Sequence, residues 1–309
     1  MRRPRRGLAG PLLAGALGVL PLWTSSPAGA APAPGGEGGT RFPSGFRKAE
    51  PWEYVAAPVA VGVGVYLRFW GPQADVNWRG GLAFDDALGE PLAVTDISAR
   101  KRVSVAGNAI FYGAMAYRVI DSLIVPLAVH DDPDLALQLS ITDLEAFGTV
   151  AVVLWGSQTV VVRERPLVTR RCDDPEFREG VGLCDPDSRD RNRSFIAGHP
   201  ATVLAAAGVT CLHHAKLRLY GGAADGIACG AMIGATALSA AERLMTEMHY
   251  PSDVLFGLAL GAVAGWGVPL ALRYAGAGTQ AAPDAAGTRL RVAPWMAGDA
   301  AGLSASGDW

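Results

Sequence analysis

Three short stretches carry side chains suited to moving a phosphoryl group: Gln158 to Pro166 (QTVVVRERP), Ser194 to Pro200 (SFIAGHP) and Arg243 to Asp253 (RLMTEMHYPSD). Arg165 and Arg243 offer planar guanidinium forks that match phosphoryl oxygens. Pro200 and Pro251 each read as the first residue of a helix, and the free N–H groups of a helix start favour an anion. His199 stands directly before Pro200 and His249 two residues before Pro251. Asp253, in a first helical turn, is placed to hold one imidazole nitrogen of His249, leaving the other to attack phosphorus. A protonated His199 can hand its proton to the departing alcohol. A metal held by His199, His249 and Asp253 is disfavoured, because Arg165 and Arg243 would repel the cation. No metal or cofactor is called for.

These stretches need elements that bring them to one face. From residue 109 onward, apolar segments with helical character recur at about 109–130, 138–162, 199–215, 223–241 and 254–272. If they alternate in direction, the three stretches share one end. The last segment is 19 residues without a charge, a strong candidate to span a membrane. The expected fold is an all-α helical bundle, transmembrane with about five spans; a soluble periplasmic bundle is the alternative. Arg118 and Asp121 share one helix at a spacing of three and read as a structural pair.

Residues 1–30 read as a signal peptide: Arg2, Arg3, Arg5 and Arg6 precede an apolar core and the small-residue exit Ala28-Gly29-Ala30. Residues 31–52 form a Gly/Pro-rich flexible linker. Residues 53–104 contain "VAAPVAVGVGVYL", too short to span, which is expected to lie at the interface or pack on the bundle. Residues 105–275 hold the chemistry. The tail, 276–309, is rich in Ala and Gly, with "TRLRVAPW" and "GLSASGDW" able to pair as a hairpin. Loss of the leader moves the formal charge from −2 to −6, which excludes nucleic acid as a partner.

Cys172 and Cys184, in one polar loop after an export signal, form the expected disulfide. With the leader cleaved and 55–67 not spanning, that loop falls on the periplasmic side, and Lys216, Arg218 and Arg273 face the cytoplasm. If 55–67 spans, every assignment inverts. Loop 163–193 carries eight arginines and eight acids, the composition of a self-paired solvated cover. His213 and His214 read as partners of terminal helix carbonyls. The plain alternatives for the site are a solvated cap for His199, a cap-region hydrogen bond for His249 and Asp253, and an Arg243–Glu247 pair.

The order and spacing of the three stretches resemble the type-2 phosphatidic acid phosphatase and vanadium haloperoxidase superfamily, with its signature K-x6-R-P, P-S-G-H and S-R-x5-H-x3-D. The resemblance covers roughly residues 105–275. It implies that His249 is the nucleophile forming a phosphohistidine, that Asp253 orients it and that His199 is the general acid. Arg165, Arg243 and the Gly198 backbone would hold the phosphate. The chain departs from the pattern at Gln158, where the family has lysine, at Ala197, where it has serine, at Ile196, and at Ala241-Glu242 before Arg243. Gln158 can donate a hydrogen bond without bringing charge, and Arg163 is a candidate to supply the missing cation. The implied activity is hydrolysis of a lipid phosphate or pyrophosphate ester at the inner (cell) membrane, on the periplasmic face. Alternatives are a weakened relative that binds phosphate or lipid headgroups without turnover, and, disfavoured by Gln158, a vanadate-dependent halide oxidation.

Overall fold

Turn and cap residues divide the apolar runs into helices. The computed structural model describes residues 42–72 and 75–275, and the backbone of 290–297 and 300–307. In chain order the helices are α1 (Glu53–Trp70), α2 (Asp85–Gly89), α3 (Ile97–Val119), α4 (Val125–Ala128), α5 (Pro133–Val160), α6 (Pro166–Arg171), α7 (Pro175–Gly180), α8 (Gly198–Leu217), α9 (Ala223–Met245) and α10 (Pro251–Ala262). Wider π turns carry α3 into α4 and extend α10 to Tyr274. Asp96 and Asp132 start α3 and α5 by accepting the N–H groups of Ala99 and Leu135.

Helix α8 is the centre of the bundle. Ala201, Val203, Ala205, Ala206, Ala207 and Val209 are all fully buried, and α3, α5, α9 and α10 pack around them. Backbone proximity, rather than large side chains, sets the closest crossing. Gly257, Gly261 and Gly265 follow one another at every fourth position and face α8. A Cβ on any of them would stand 2.5 Å from the carbonyl oxygen of Ala197, Ala201 or Ala205 respectively. Only glycine lets the two backbones approach this closely. The contact seats the first turn of α8 on the first turn of α10, where the Ala197 N–H donates to the Asp253 carbonyl at 3.1 Å. A second disulfide, Cys211–Cys229, ties α8 to α9.

Four helical stretches are long and apolar enough to cross a membrane: Ile97–Ala128, Pro133–Val160, Ala223–Met245 and Pro251–Tyr274. They leave large apolar side chains such as Val105, Tyr112, Ile227, Leu238, Phe256 and Val263 exposed on the bundle's outside, as a lipid-facing surface requires. The chain is an all-α, membrane-type bundle. The fifth expected segment, α8, falls outside that set because His199, His213, His214 and Lys216 make its ends polar.

Residues 53–104 pack on the bundle. Helix α1 runs along α5, with Gly64 against Ala151 and Gly148 against Ala60. The chain after α1 pairs with the end of α5: the Asn77 N–H donates to Val162 O and the Glu164 N–H to Trp78 O. The second half of the expected linker is also packed, since Phe46 stacks on Phe42 and meets the ring of Tyr274 edge-on. The leader and residues 31–41 lie outside the described residues. In the tail, Leu290–Ala297 and Ala300–Gly307 form an antiparallel hairpin with Leu290 opposite Gly307.

The Arg118–Asp121 pair is present and larger than expected, because Asp143 joins it at 2.8 Å. His214 does not cap carbonyls with its side chain. Its ring lies between Asp121 at 3.0 Å and Asp225 at 2.6 Å, while His213 is buried with neither ring nitrogen hydrogen-bonded.

Candidate active site

The ends of α5 and α9 and the starts of α8 and α10 meet at one end of the bundle, and the three stretches meet with them. Arg165, at the N-cap of α6, donates from Nε to Asp190 O at 2.6 Å and from Nη1 to Met248 O at 2.8 Å. Both acceptors are neutral carbonyls. Arg165 is buried, and among the described residues it makes no salt bridge, which is costly for a lone cation. Burial, followed by the nearby charge of Arg243, brings its pKa down to about 10.

His249 faces this guanidinium, with Nε2 3.3 Å from Arg165 Nη1. Its other nitrogen, Nδ1, is 2.6 Å from the carbonyl oxygen of Ser194. A carbonyl only accepts, so Nδ1 carries the proton and Nε2 is unprotonated, its lone pair accepting from Arg165 Nη1. Burial, then Arg165 and Arg243, hold the His249 pKa well below the ordinary histidine value. The ring is therefore held in its neutral form.

Asp253 was expected to hold His249 directly, but no hydrogen bond joins them among the described residues. Its Oδ2 accepts the Ser194 hydroxyl at 2.5 Å and the Tyr250 N–H at 2.9 Å. Asp253 thus fixes Ser194, and the Ser194 carbonyl fixes His249. The same carboxylate receives Arg163 Nη1 at 2.5 Å.

Arg163 does not supply a free charge to the site. Its five N–H groups reach Gly80 O, Asp85, Ser252 Oγ and Asp253, and its guanidinium is stacked between Trp78 and Tyr250 at 3.8 and 4.0 Å. Asp85 also accepts the Ser252 N–H at 2.7 Å. The start of α10 is therefore capped from the N-terminal region and does not aim free N–H groups at a ligand. At α8 the helix begins with Gly198, which makes Pro200 the third residue and not the first. Gly198 and His199 are left with N–H groups that no carbonyl of the helix accepts. A Cβ on Gly198 would stand 2.9 Å from the Leu154 Cδ2 methyl, so a larger residue here requires that side chain to shift.

Arg243 pairs with its neighbour Glu242 through Nε and through Nη2 at 2.8 Å. Glu247 instead binds Arg100, Arg170 and Arg171. Asn108 on α3 links the remaining groups: its Oδ1 is 3.3 Å from His199 Nε2 and 3.5 Å from Arg243 Nη2. Burial, then the charges of Arg243 and Arg165, lower the His199 pKa to about 3. An anion between the two arginines would offset their part of that lowering, leaving the part due to burial. Ala197 is fully buried at the N-cap of α8 and supplies no side-chain cap. Gln158 is buried, with Nε2 donating to Ile196 O at 3.1 Å. The structure also joins Cys172 to Cys184, just beyond α6.

Sequence reasoning passed over Asn108, Ser194 and Asp85. A lone asparagine in an apolar helix was a readable signal, whereas Ser194 acts through its backbone carbonyl and Asp85 lies far off in sequence. No group of three or more His, Cys, Asp or Glu able to hold a metal occurs among the described residues.

Residues 145–277 match the model of the PAP2 superfamily, consistent with the type-2 phosphatidic acid phosphatases that the motifs resemble. Members of that superfamily are phosphatases acting on phosphate esters. No curated protein and no solved structure matches the chain.

Proposed function

We propose that this chain hydrolyses a lipid phosphate monoester or pyrophosphate through a phosphohistidine on His249. The observation that carries the reading is Arg165, a buried guanidinium that makes no salt bridge among the described residues, with Nη1 3.3 Å from the unprotonated nitrogen of His249. Such a cation awaits an anion, and the nitrogen beside it is placed to attack that anion.

The substrate phosphate lies between Arg165 and Arg243, with the N–H groups of Gly198 and His199 at its edge. Its charge raises the His199 pKa, so binding itself favours the protonated general acid. His249 Nε2 attacks phosphorus as the ester oxygen leaves with the His199 proton. Water then cleaves the phosphorus–nitrogen bond, with neutral His199 as base. Arginines and helix N–H groups stabilise the transferring group.

A membrane-borne substrate fits a site at the end of four apolar helices. The Cys172–Cys184 bridge supports an oxidising, periplasmic location for this face. A binding protein without turnover is the second reading, motivated by Gln158 and Ala197. Full-length protein in detergent micelles, given dioleoyl phosphatidic acid and EDTA, distinguishes the two. Release of inorganic phosphate is expected; saturable binding without release would establish the second reading.

A further inference from the structure

Arg243, the second arginine of the phosphate site, carries a carboxylate of its own. Glu242 Oε2 accepts from Arg243 Nε and Glu242 Oε1 from Nη2, so both carboxylate oxygens face one edge of the guanidinium. That two-pronged geometry is the signature of an ionised pair. The pair is buried, and α3 is shaped to admit it. A Cβ on Gly107 would overlap the Glu242 side chain, while the next residue, Asn108, reaches Arg243 Nη2 at 3.5 Å.

The charge of the site follows from these neighbours. Arg165 has carbonyl and imidazole partners only and keeps its full charge, whereas Glu242 offsets Arg243. Gln158 brings no charge where the superfamily signature has lysine, and Glu242 brings a negative one where the signature has serine. Neither histidine adds a charge in the free protein, since burial, and then the two arginines, hold both below the ordinary histidine value. The surrounding clusters cancel. Arg163 serves two carboxylates, Asp85 and Asp253, and Asp190 serves two guanidiniums, Arg68 and Arg193. The Glu247 cluster sets Arg100, Arg170 and Arg171 against Glu247, Asp86 and Glu90. One net positive charge remains.

Donors are nevertheless in place for an anion. Arg165 Nη2 and Arg243 Nη1 make no hydrogen bond among the described residues, and both reach open space. A phosphate dianion here would leave one negative charge without a counterion at a buried site, which is costly. A monoanion is matched.

We infer that the site takes a phosphate monoester as its singly charged monoanion, with Glu242 as the specificity-determining residue. The inference rests on the phosphate-site reading above. The test measures binding of n-propyl phosphate and n-propyl sulfate to the detergent-solubilised full chain, carrying His249→Ala to block turnover, at about pH 5 and about pH 8. The sulfate ester has the same shape and one charge at both values, so it reports changes in the protein itself; the phosphate ester loses its second proton near about pH 6. Relative to the sulfate, the phosphate ester is expected to bind roughly ten- to a hundredfold more weakly at the higher pH, where about one molecule in a hundred is still the monoanion. Glu242→Gln and Glu242→Ser both remove the carboxylate, and either one, once shown to be folded by thermal unfolding, should abolish that loss. Equal or tighter binding of the phosphate ester at the higher pH, relative to the sulfate, overturns the inference and leaves the phosphate site standing. So does a loss that persists in the folded variants, or a phosphate ester that binds where the sulfate does not. Absence of binding by either ester at both pH values defeats the phosphate-site reading, and the inference falls with it.

Discussion

The imidazole of His249 is held by the main chain of Ser194, with Nδ1 2.6 Å from the Ser194 carbonyl oxygen. This one contact selects the tautomer and turns Nε2 toward Arg165. Asp253, which the motif made the orienting residue, acts one step further back through the Ser194 hydroxyl at 2.5 Å. Asp85 and Arg163 stand behind Asp253, so a residue from the N-terminal region belongs to the chain of contacts that positions His249.

Activity should persist into acid. The His249 pKa lies well below the ordinary value, so the neutral form survives as pH falls and is lost only at the depressed value. The kcat/KM–pH profile, which reports the free enzyme, should show no acid limb near about 6.5, the ordinary histidine value, beyond any that the substrate phosphate's own ionisation produces. A further limb centred there would mean that His249 titrates normally.

Replacement of His199 should depend on the leaving group. His199→Gln should slow an alkyl phosphate by roughly 10²–10⁴-fold, the usual worth of a general acid. p-Nitrophenyl phosphate, whose phenolate leaves without a proton, should lose much less. Equal losses on both substrates would assign His199 to binding alone.

Arg163 and Arg165 should behave oppositely in thermal unfolding. Arg163→Met leaves Asp85 and Asp253 as buried carboxylates without their cation, a cost of about 3–5 kcal/mol, and should lower the Tm sharply. Arg165→Met orphans no carboxylate and should leave the Tm of the free protein unchanged or higher. It should also abolish stabilisation by added inorganic phosphate. Similar Tm losses in the two variants would contradict this division.

Glu247 should matter to fold and site together. Its carboxylate binds three arginines, and its carbonyl accepts the Leu167 N–H at 2.9 Å in the turn that carries His249. Burial opposes ionisation, but hydrogen bonding to Arg171 and the charges of Arg100 and Arg171 dominate and lower its pKa. Its stabilising contribution is therefore present above the unfolded carboxylate value and disappears as pH falls through the lowered folded value. Glu247→Gln should reduce Tm at neutral pH and differ little from the parent in strong acid. An equal Tm difference at both pH values would remove the ion cluster from the explanation.

The bundle was readable where composition changes sharply. Apolar runs located α5, α9 and α10 and only the second half of α3, whose polar first turns begin at Ile97, whereas the polar ends of α8 concealed its central position. The every-fourth glycine spacing at 257, 261 and 265 was visible, but its facing carbonyls belong to another helix. In the site, Arg165, His199, Arg243 and His249 follow from residue type and spacing. Arg163 was misassigned because adjacency to Arg165 says nothing about Asp85, whose carboxylate arrives from 78 residues away. Gln158 donates to the Ile196 carbonyl, a partner 38 residues away that its spacing does not announce.

The most direct test of the account is chemical trapping on His249, the proposed nucleophile. Full-length protein is mixed with phosphate-labelled dioleoyl phosphatidic acid in EDTA, quenched in alkali within a turnover, digested and mapped by mass spectrometry. The account predicts an acid-labile, alkali-stable phosphoryl group on His249, absent from His249→Ala, which also releases no phosphate. Phosphate release that continues in His249→Ala, or label found on another residue, would contradict it.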